Sequence, residues 1–288
     1  MKTKITYLLS LISLLTTINL RSQECGTPST GINQEFSSPL NRSTSDESLC
    51  LNVYFHIVRQ TNGSGGFNIN NIDVIVENLN EYYNPFGIYI NKQGVDFIDN
   101  SNYYELTDNE FNSLIGINNV SNSINFYLVN SYDYAGRAET ILSKNLVVQN
   151  TYALFPTSAH ELGHCLNLWH THHGLGCDDT NGCAEAINGT NCSSCGDFVC
   201  DTAADPCVLG KLNSNCQYTG GDGYNPDPTN IMSYGGLCRT HFTAGQAQKM
   251  RSSILGSSIL QQVLSNLCLA PYIDGLNTIC NNAEITYT

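Results

Sequence analysis

His160, Glu161, His164 and His170 fall within the stretch His-Glu-Leu-Gly-His-Cys-Leu-Asn-Leu-Trp-His, and their spacing constrains this chain more than any other feature. Residues at i and i+4 of an α-helix share a face one turn apart, so a helix here aims His160 and His164 at one point. Glu161, beside the first histidine, can reach a water held at that point. His170 can join them only if the chain leaves the helix and doubles back, and that reversal needs a residue tolerant of positive φ. Glycine is the usual choice and asparagine the best alternative; Asn167 stands at that place. Three histidines with a fourth position open to water are the donor set of a catalytic Zn²⁺. The spacing therefore predicts His160, His164 and His170 as metal ligands and Glu161 as the general base.

The rest of the chain narrows the setting. A length of 288 residues suits one substantial domain with short appendages. A formal net charge of −13 with only 12 Lys plus Arg excludes the basic footprint of a nucleic-acid binder. Lys2 and Lys4 precede an apolar run from Ile5 to Leu20, and small Ser22 follows it. This reads as a secretory signal peptide over residues 1–22, too short for a bilayer span, with no span in the mature chain. All 13 cysteines lie beyond it, and nine crowd between Cys165 and Cys238. In an exported protein that density implies disulfides; the spacing of Cys192 and Cys195 leaves a structural zinc cluster as the alternative. The odd total leaves at least one thiol unpaired, with Cys25 and Cys165 as the candidates.

Residues 23–49 are polar and aperiodic and read as an N-terminal arm or short propeptide. Leu51–Val58 is a strand, Asn71–Tyr83 carries helical periodicity, and Gly87–Ile90, Ile124–Val129 and Asn145–Gln149 are further strands. A helix is predicted from Thr157, as N-cap, to about Leu168. Residues 171–230 show little regular signal, and helical spacing returns from Thr243 to about Leu264. This order suggests a mixed sheet packed on helices over a domain of residues 50–268. Residues 269–288 alternate like β-structure and resemble the start of an immunoglobulin-like module; a docked hairpin is the alternative.

The extended His-Glu-x-x-His-x-x-(Gly/Asn)-x-x-His pattern resembles the metzincin clan of zinc endopeptidases, and Asn230-Ile231-Met232-Ser233-Tyr234 resembles that clan's Met-turn. Gly196-Asp197-Phe198-Val199-Cys200-Asp201-Thr202 is similar to a stretch of the pappalysin family on its bacterial, cytophagalysin-like branch, with Ala203 replacing a proline. Cys238 with Phe242-Thr243-Ala244-Gly245-Gln246 and then Lys249-Met250-Arg251 resembles the same family's ending, Lys249 standing for an arginine. The resemblance covers about residues 50–265. It implies an α+β, metzincin-like (zincin) domain with a twisted mixed β-sheet, an active-site helix, a Met-turn and a C-terminal helix. The activity implied is that of a secreted zinc metalloendopeptidase acting on protein or peptide substrates. A catalytically silent zinc-containing binding protein of the same fold is the alternative, against which an intact Glu161 speaks.

Relatives also assign roles. Tyr234 is implied as the residue that stabilises the oxyanion, with a packed turn tyrosine as the alternative, and Met232 as a structural floor beneath the ligands. Cys25, in Cys-Gly-Thr-Pro, resembles the inhibitory cysteine of latent metzincins, with removal of the arm near Arg42 and Ser43 as the activating step; a disulfide to Cys50 is the alternative. Asp178, Asp179, Asp197, Asp201 and Asp205 crowd the Cys-rich loop. Flexible oxygen ligands suit Ca²⁺, so Asp178, Asp197 and Asp201 are candidate calcium ligands, or else solvated acids. His172 and His173 are read as solvated loop histidines and His56 as a packed or hydrogen-bonded one. Oligomeric state leaves no signal in the sequence.

Overall fold

The computed structural model describes residues 25–29, 33–36, 48–177 and 179–265. The signal peptide, the Arg42–Ser43 site and the tail of residues 269–288 lie outside the described residues. Strand β1 (Leu49–Arg59) leads through helix α1 (Ile72–Tyr83) to β2 (Ile88–Asp99), then through two short helices, α2 (Ser101–Tyr104) and α3 (Phe111–Leu114), to β3 (Ile124–Val129). Strands β4 (Gly136–Ala138) and β5 (Asn145–Gln149) precede helix α4 (Thr157–Cys165). A long irregular region follows, ended by α5 (Ala244–Gly256) and α6 (Ser258–Gln261). The sheet order is β2-β1-β3-β5-β4, parallel except for antiparallel β4 at one edge.

Side chains alternate across a strand, and both faces of this sheet are covered. Val53, Phe55, Ile57, Phe126, Leu128, Leu146 and Val148 face one core with Ile75 and Leu79 of α1 and Ala159 and Leu162 of α4. Val58, Tyr127, Val129 and Val147 face the other, with Phe111 and Leu114 of α3. That two-sided burial explains why β1, β3 and β5 read as unbroken apolar runs. Asn80 is the polar exception in α1. It is 2% exposed and clamps the backbone of β2, accepting from Ile90 N at 2.8 Å and donating to Ile90 O at 3.2 Å.

The α+β expectation holds, with three corrections. Helix α4 ends at Cys165, short of Leu168, because a left-handed Asn167 (φ 76°) closes it. The final helix breaks at Ser257, whose extended backbone ends α5 and whose hydroxyl caps α6. Thr157 is the first residue of α4 and Pro156 occupies the N-cap position.

The irregular region is held by disulfides instead of regular structure: Cys177–Cys207, Cys183–Cys195, Cys192–Cys200 and Cys216–Cys238. These bridges remove the zinc-cluster alternative for Cys192 and Cys195. Loops of this size gain roughly 3 kcal/mol per bridge in the chain-entropy account. Cys50 is disulfide-bonded, whereas Cys25 and Cys165 are free thiols.

Truncating Asn80 to alanine strands a buried N–H and C=O of Ile90. We expect Asn80→Ala to lose about 1–3 kcal/mol in equilibrium denaturation, and an unchanged midpoint would show that water replaces the clamp.

Candidate metal centre

Helix α4 lays His160 and His164 one turn apart, as their spacing predicts. Its end is a Schellman closure: Leu168 N donates to Gly163 O at 3.0 Å and Asn167 N to His164 O at 3.0 Å. The reversal returns the chain so that His170 meets the first two histidines. Nε2 of His164 lies 3.2 Å from Nε2 of His160 and 3.1 Å from Nε2 of His170. All three residues are buried, at 1%, 0% and 3% exposure.

The other ring nitrogens fix what faces this point. His160 Nδ1 meets Ile231 O at 2.8 Å, and His164 Nδ1 meets Leu168 O at 2.8 Å. A carbonyl can only accept, so both Nδ1 atoms carry the proton. Burial, followed by the neighbouring imidazole, drives the pKa of both rings well below its ordinary value, so they stay neutral. Their Nε2 atoms then present lone pairs to one another at hydrogen-bond distance with no proton between them. A cation resolves that repulsion. Tetrahedral Zn²⁺ with bonds near 2.0 Å sets its nitrogens about 3.3 Å apart, close to the observed spacing. The donor set and its burial therefore fit the metal.

His170 is oriented by Asp179, which the sequence marked only as one of several loop acids. Asp179 is 4% exposed and takes hydrogen bonds from His170 Nδ1 at 3.0 Å and His173 Nδ1 at 2.7 Å. Burial opposes its charge, but these two bonds prevail and hold the carboxyl well below the usual range. The Cys177–Cys207 bridge anchors the loop beside it. His172 and His173 are not solvated: they are 0% and 3% exposed, because this stapled loop folds back over them. His172 stacks on His170 with ring centres 4.7 Å apart. His173 packs against Trp169.

Met232 is fully buried beneath the ligands, so close to the helix that a Cβ at Gly163 would sit 2.7 Å from its Sδ. Asn230 and Gln246 exchange two side-chain hydrogen bonds, of 2.9 and 3.1 Å, tying this turn to α5. Asp205 fastens its other side, accepting from Ser233 Oγ at 3.2 Å and Thr171 Oγ1 at 2.7 Å. Asn230 belongs to the Met-turn motif, Gln246 to the C-terminal motif and Asp205 to the loop acids, but the spacing of none of them shows its role as a brace. The ring of Tyr234 packs 5.0 Å from that of His170.

Glu161 is 0% exposed and lies against edge strand β4, where a Cβ at Gly136 would come within 2.8 Å of its Oε1. Oε2 accepts from Ala138 N at 3.0 Å and from Thr27 Oγ1 at 2.9 Å. Burial raises its pKa to about 7, partly offset by hydrogen bonds from Thr27, Cys25 and Ala138. A carboxylate poised there suits proton transfer near neutrality.

The arm enters this same space. Cys25 Sγ lies 3.5 Å from His164 Nε2 and 3.3 Å from Glu161 Oε2. Cys25, His160, His164 and His170 form one group whose ligand atoms all lie within 4.8 Å. Gly26 donates to Gly136 O at 3.0 Å, extending the sheet edge, and its Cα lies so flat on Tyr134 that a Cβ would be 2.3 Å from the ring. Tyr234 Oη donates to Cys25 O at 3.3 Å. Burial, then the Glu161 charge, pushes the Cys25 thiol well up, whereas a coordinated thiol is deprotonated.

Of the candidate calcium ligands, Asp178 lies outside the described residues. Asp197 is buried, and its Oδ2 has no partner among the described residues. Asp201 spends both oxygens at the start of α5, on Thr243 Oγ1 and Gly245 N, each at 2.7 Å. His56 is buried between Asp96 and Asn125, far from the chemistry in role.

A carboxylate on the outer nitrogen of a ligating histidine is worth about 10–100-fold in metal affinity. We expect Asp179→Asn to weaken Zn²⁺ binding by that factor in chelator competition; undiminished affinity would show that Asp179 does not orient His170.

The peptidase-family model described as Pregnancy-associated plasma protein-A matches residues 116–255. An "Extracellular metalloprotease" of Colletotrichum graminicola is 28% identical over 81% of this chain and 90% of its own length. A protein of the same description from Sordaria macrospora is 29% identical over 70% of this chain and 73% of its own. The crystal structure of metalloproteinase-II from Bacteroides fragilis aligns at 12% identity with a TM-score of 0.33, over 50% of this chain and 49% of that one. A score so low carries no argument, and the fold rests on the topology above. The family match, the relatives and the donor set agree that the chain is a metallopeptidase, similar over residues 116–255 to the family of Pregnancy-associated plasma protein-A.

Proposed function

We propose that the chain is a secreted zinc metalloendopeptidase of the cytophagalysin-like branch, cutting extracellular proteins and held latent by its own arm. The observation that carries this reading is the convergence of three histidine Nε2 atoms beside a buried carboxylate. In this reading residues 1–22 are a signal peptide, 23–49 the latency arm, 50–268 the catalytic domain and 269–288 an appended tail. Names of the relatives and four disulfides support export. A structural Ca²⁺ would use the unpartnered oxygen of Asp197.

His160, His164 and His170 would hold Zn²⁺, which when bound acidifies a water and polarises a carbonyl. Glu161 takes the proton of the attacking water and returns it to the leaving amine. Its Oε1 makes no hydrogen bond among the described residues and is free for the first transfer. Tyr234 donates its hydroxyl to the oxygen of the scissile carbonyl, as it now donates to the carbonyl of Cys25. Met232 and Gly163 fix the height of the ligand set.

Latency follows from the same contacts. Cys25 Sγ would complete the donor set of the three histidines, Gly26 occupies the strand-edge hydrogen bond at Gly136, and Thr27 engages the base. A substrate needs all three places.

The test is cleavage of a denatured protein by the chain without residues 1–22, by a chain beginning at Ser43, and by Glu161→Gln in the latter. We expect the shorter chain to cut faster, a chelator to stop it, and the variant to keep zinc while losing at least about 10³-fold in kcat/KM. Zinc retained without cleavage by the shorter chain would favour the silent binding protein.

A further inference from the structure

Resting on the endopeptidase reading, one unused cation beside the site points to a substrate class. Arg239 is partly buried, yet it makes no ion pair among the described residues, unlike Arg59, Lys92 and Arg137. Its Nε donates to Gly236 O at 2.9 Å and its Nη2 to Thr157 Oγ1 at 3.2 Å, while Nη1 makes no hydrogen bond among the described residues. Burial lowers its pKa, against the pull of Glu161, Cys25 and Tyr234. A guanidinium that is desolvated and unpaired costs stability unless something else completes it.

Its position says what would. Thr157, His160 and Glu161 sit at i, i+3 and i+4 of α4 and share one face. Thr157 therefore lies one helical turn, about 5.4 Å, before the base, and the hydrogen bond to it places Arg239 there. Glu161 hands its proton to the leaving amine, so the residue carrying that amine rests against Glu161. The side chain of that residue, the one immediately after the scissile bond, is within reach of the turn where Arg239 waits. The two segments joined by the Arg239–Thr157 contact also expose Phe155 (45%) and Leu237 (76%).

We propose that Arg239 determines specificity by binding the carboxylate of an aspartate or glutamate side chain on the substrate residue immediately after the scissile bond. The net charge of −13 repels acidic peptides at long range, so such a preference has to come from a local cation.

The experiment uses the zinc-loaded chain beginning at Ser43. A denatured protein digest is read by mass spectrometry for the residue after each cut, and kcat/KM is then measured on peptides that differ only there, as Glu, Gln or Lys. We expect Glu to exceed Gln by about tenfold or more, the worth of a charge-assisted hydrogen bond. Arg239→Glu should reverse the order in favour of Lys, and Arg239→Gln should level it. If neither variant folds, the wild-type profile still decides. Cleavage by the wild type without a preference for acids, or with one that Arg239→Glu leaves unchanged, overturns the assignment while leaving the endopeptidase standing. Absence of cleavage by the zinc-loaded protein overturns the endopeptidase reading and this assignment with it.

Discussion

Three imidazole lone pairs directed at one another across 3.1–3.2 Å are the constraint on which the structure turns. Alone they repel, and burial denies His160 and His164 the protons that would relieve it. Each ring is held in this orientation by a different part of the chain. Ile231, in the turn before Met232, fixes His160; the closure of α4 at Leu168 fixes His164; the stapled loop, through Asp179, fixes His170. Turn, helix end and stapled loop therefore meet in one point, and a metal ion bound there would tie together segments remote in sequence.

The arm uses the features a substrate would use. Gly26 pairs with the edge strand, the Cys25 carbonyl accepts from Tyr234, and Thr27 reaches Glu161. The thiol adds what a peptide substrate lacks, a soft donor 3.5 Å from His164 Nε2. The arm does not stop at the site: Gln34 O accepts from Asn167, which also donates to Ser253 of α5. The residue that reverses the chain thus also seats the arm, so Asn at this position does work that Gly could not.

Much of this was legible because helical and strand periods are local. The i, i+4 histidines, the reversal at Asn167 and the apolar runs of β3 and β5 need only a few consecutive residues, and they appear as read. Strand β4 was missed because three residues show no period, and β2 was read short because polar Lys92 and Gln93 interrupt it. The roles of Asp179 and Asp205 depend on how a loop without periodicity is cross-linked, and that of Gln246 on which turn packs against α5, and spacing carries no trace of either. For the same reason His172 and His173 looked solvated although the folded loop buries them.

X-ray absorption at the zinc edge tests the central claim most directly, because it counts the atoms around the metal. For the chain without residues 1–22, three nitrogen scatterers near about 2.0 Å and one sulfur near about 2.3 Å are predicted. In the chain beginning at Ser43 the sulfur should give way to a light atom, with the three nitrogens unchanged. A site lacking sulfur in the longer chain, or one with fewer than three imidazoles in either, would contradict the account.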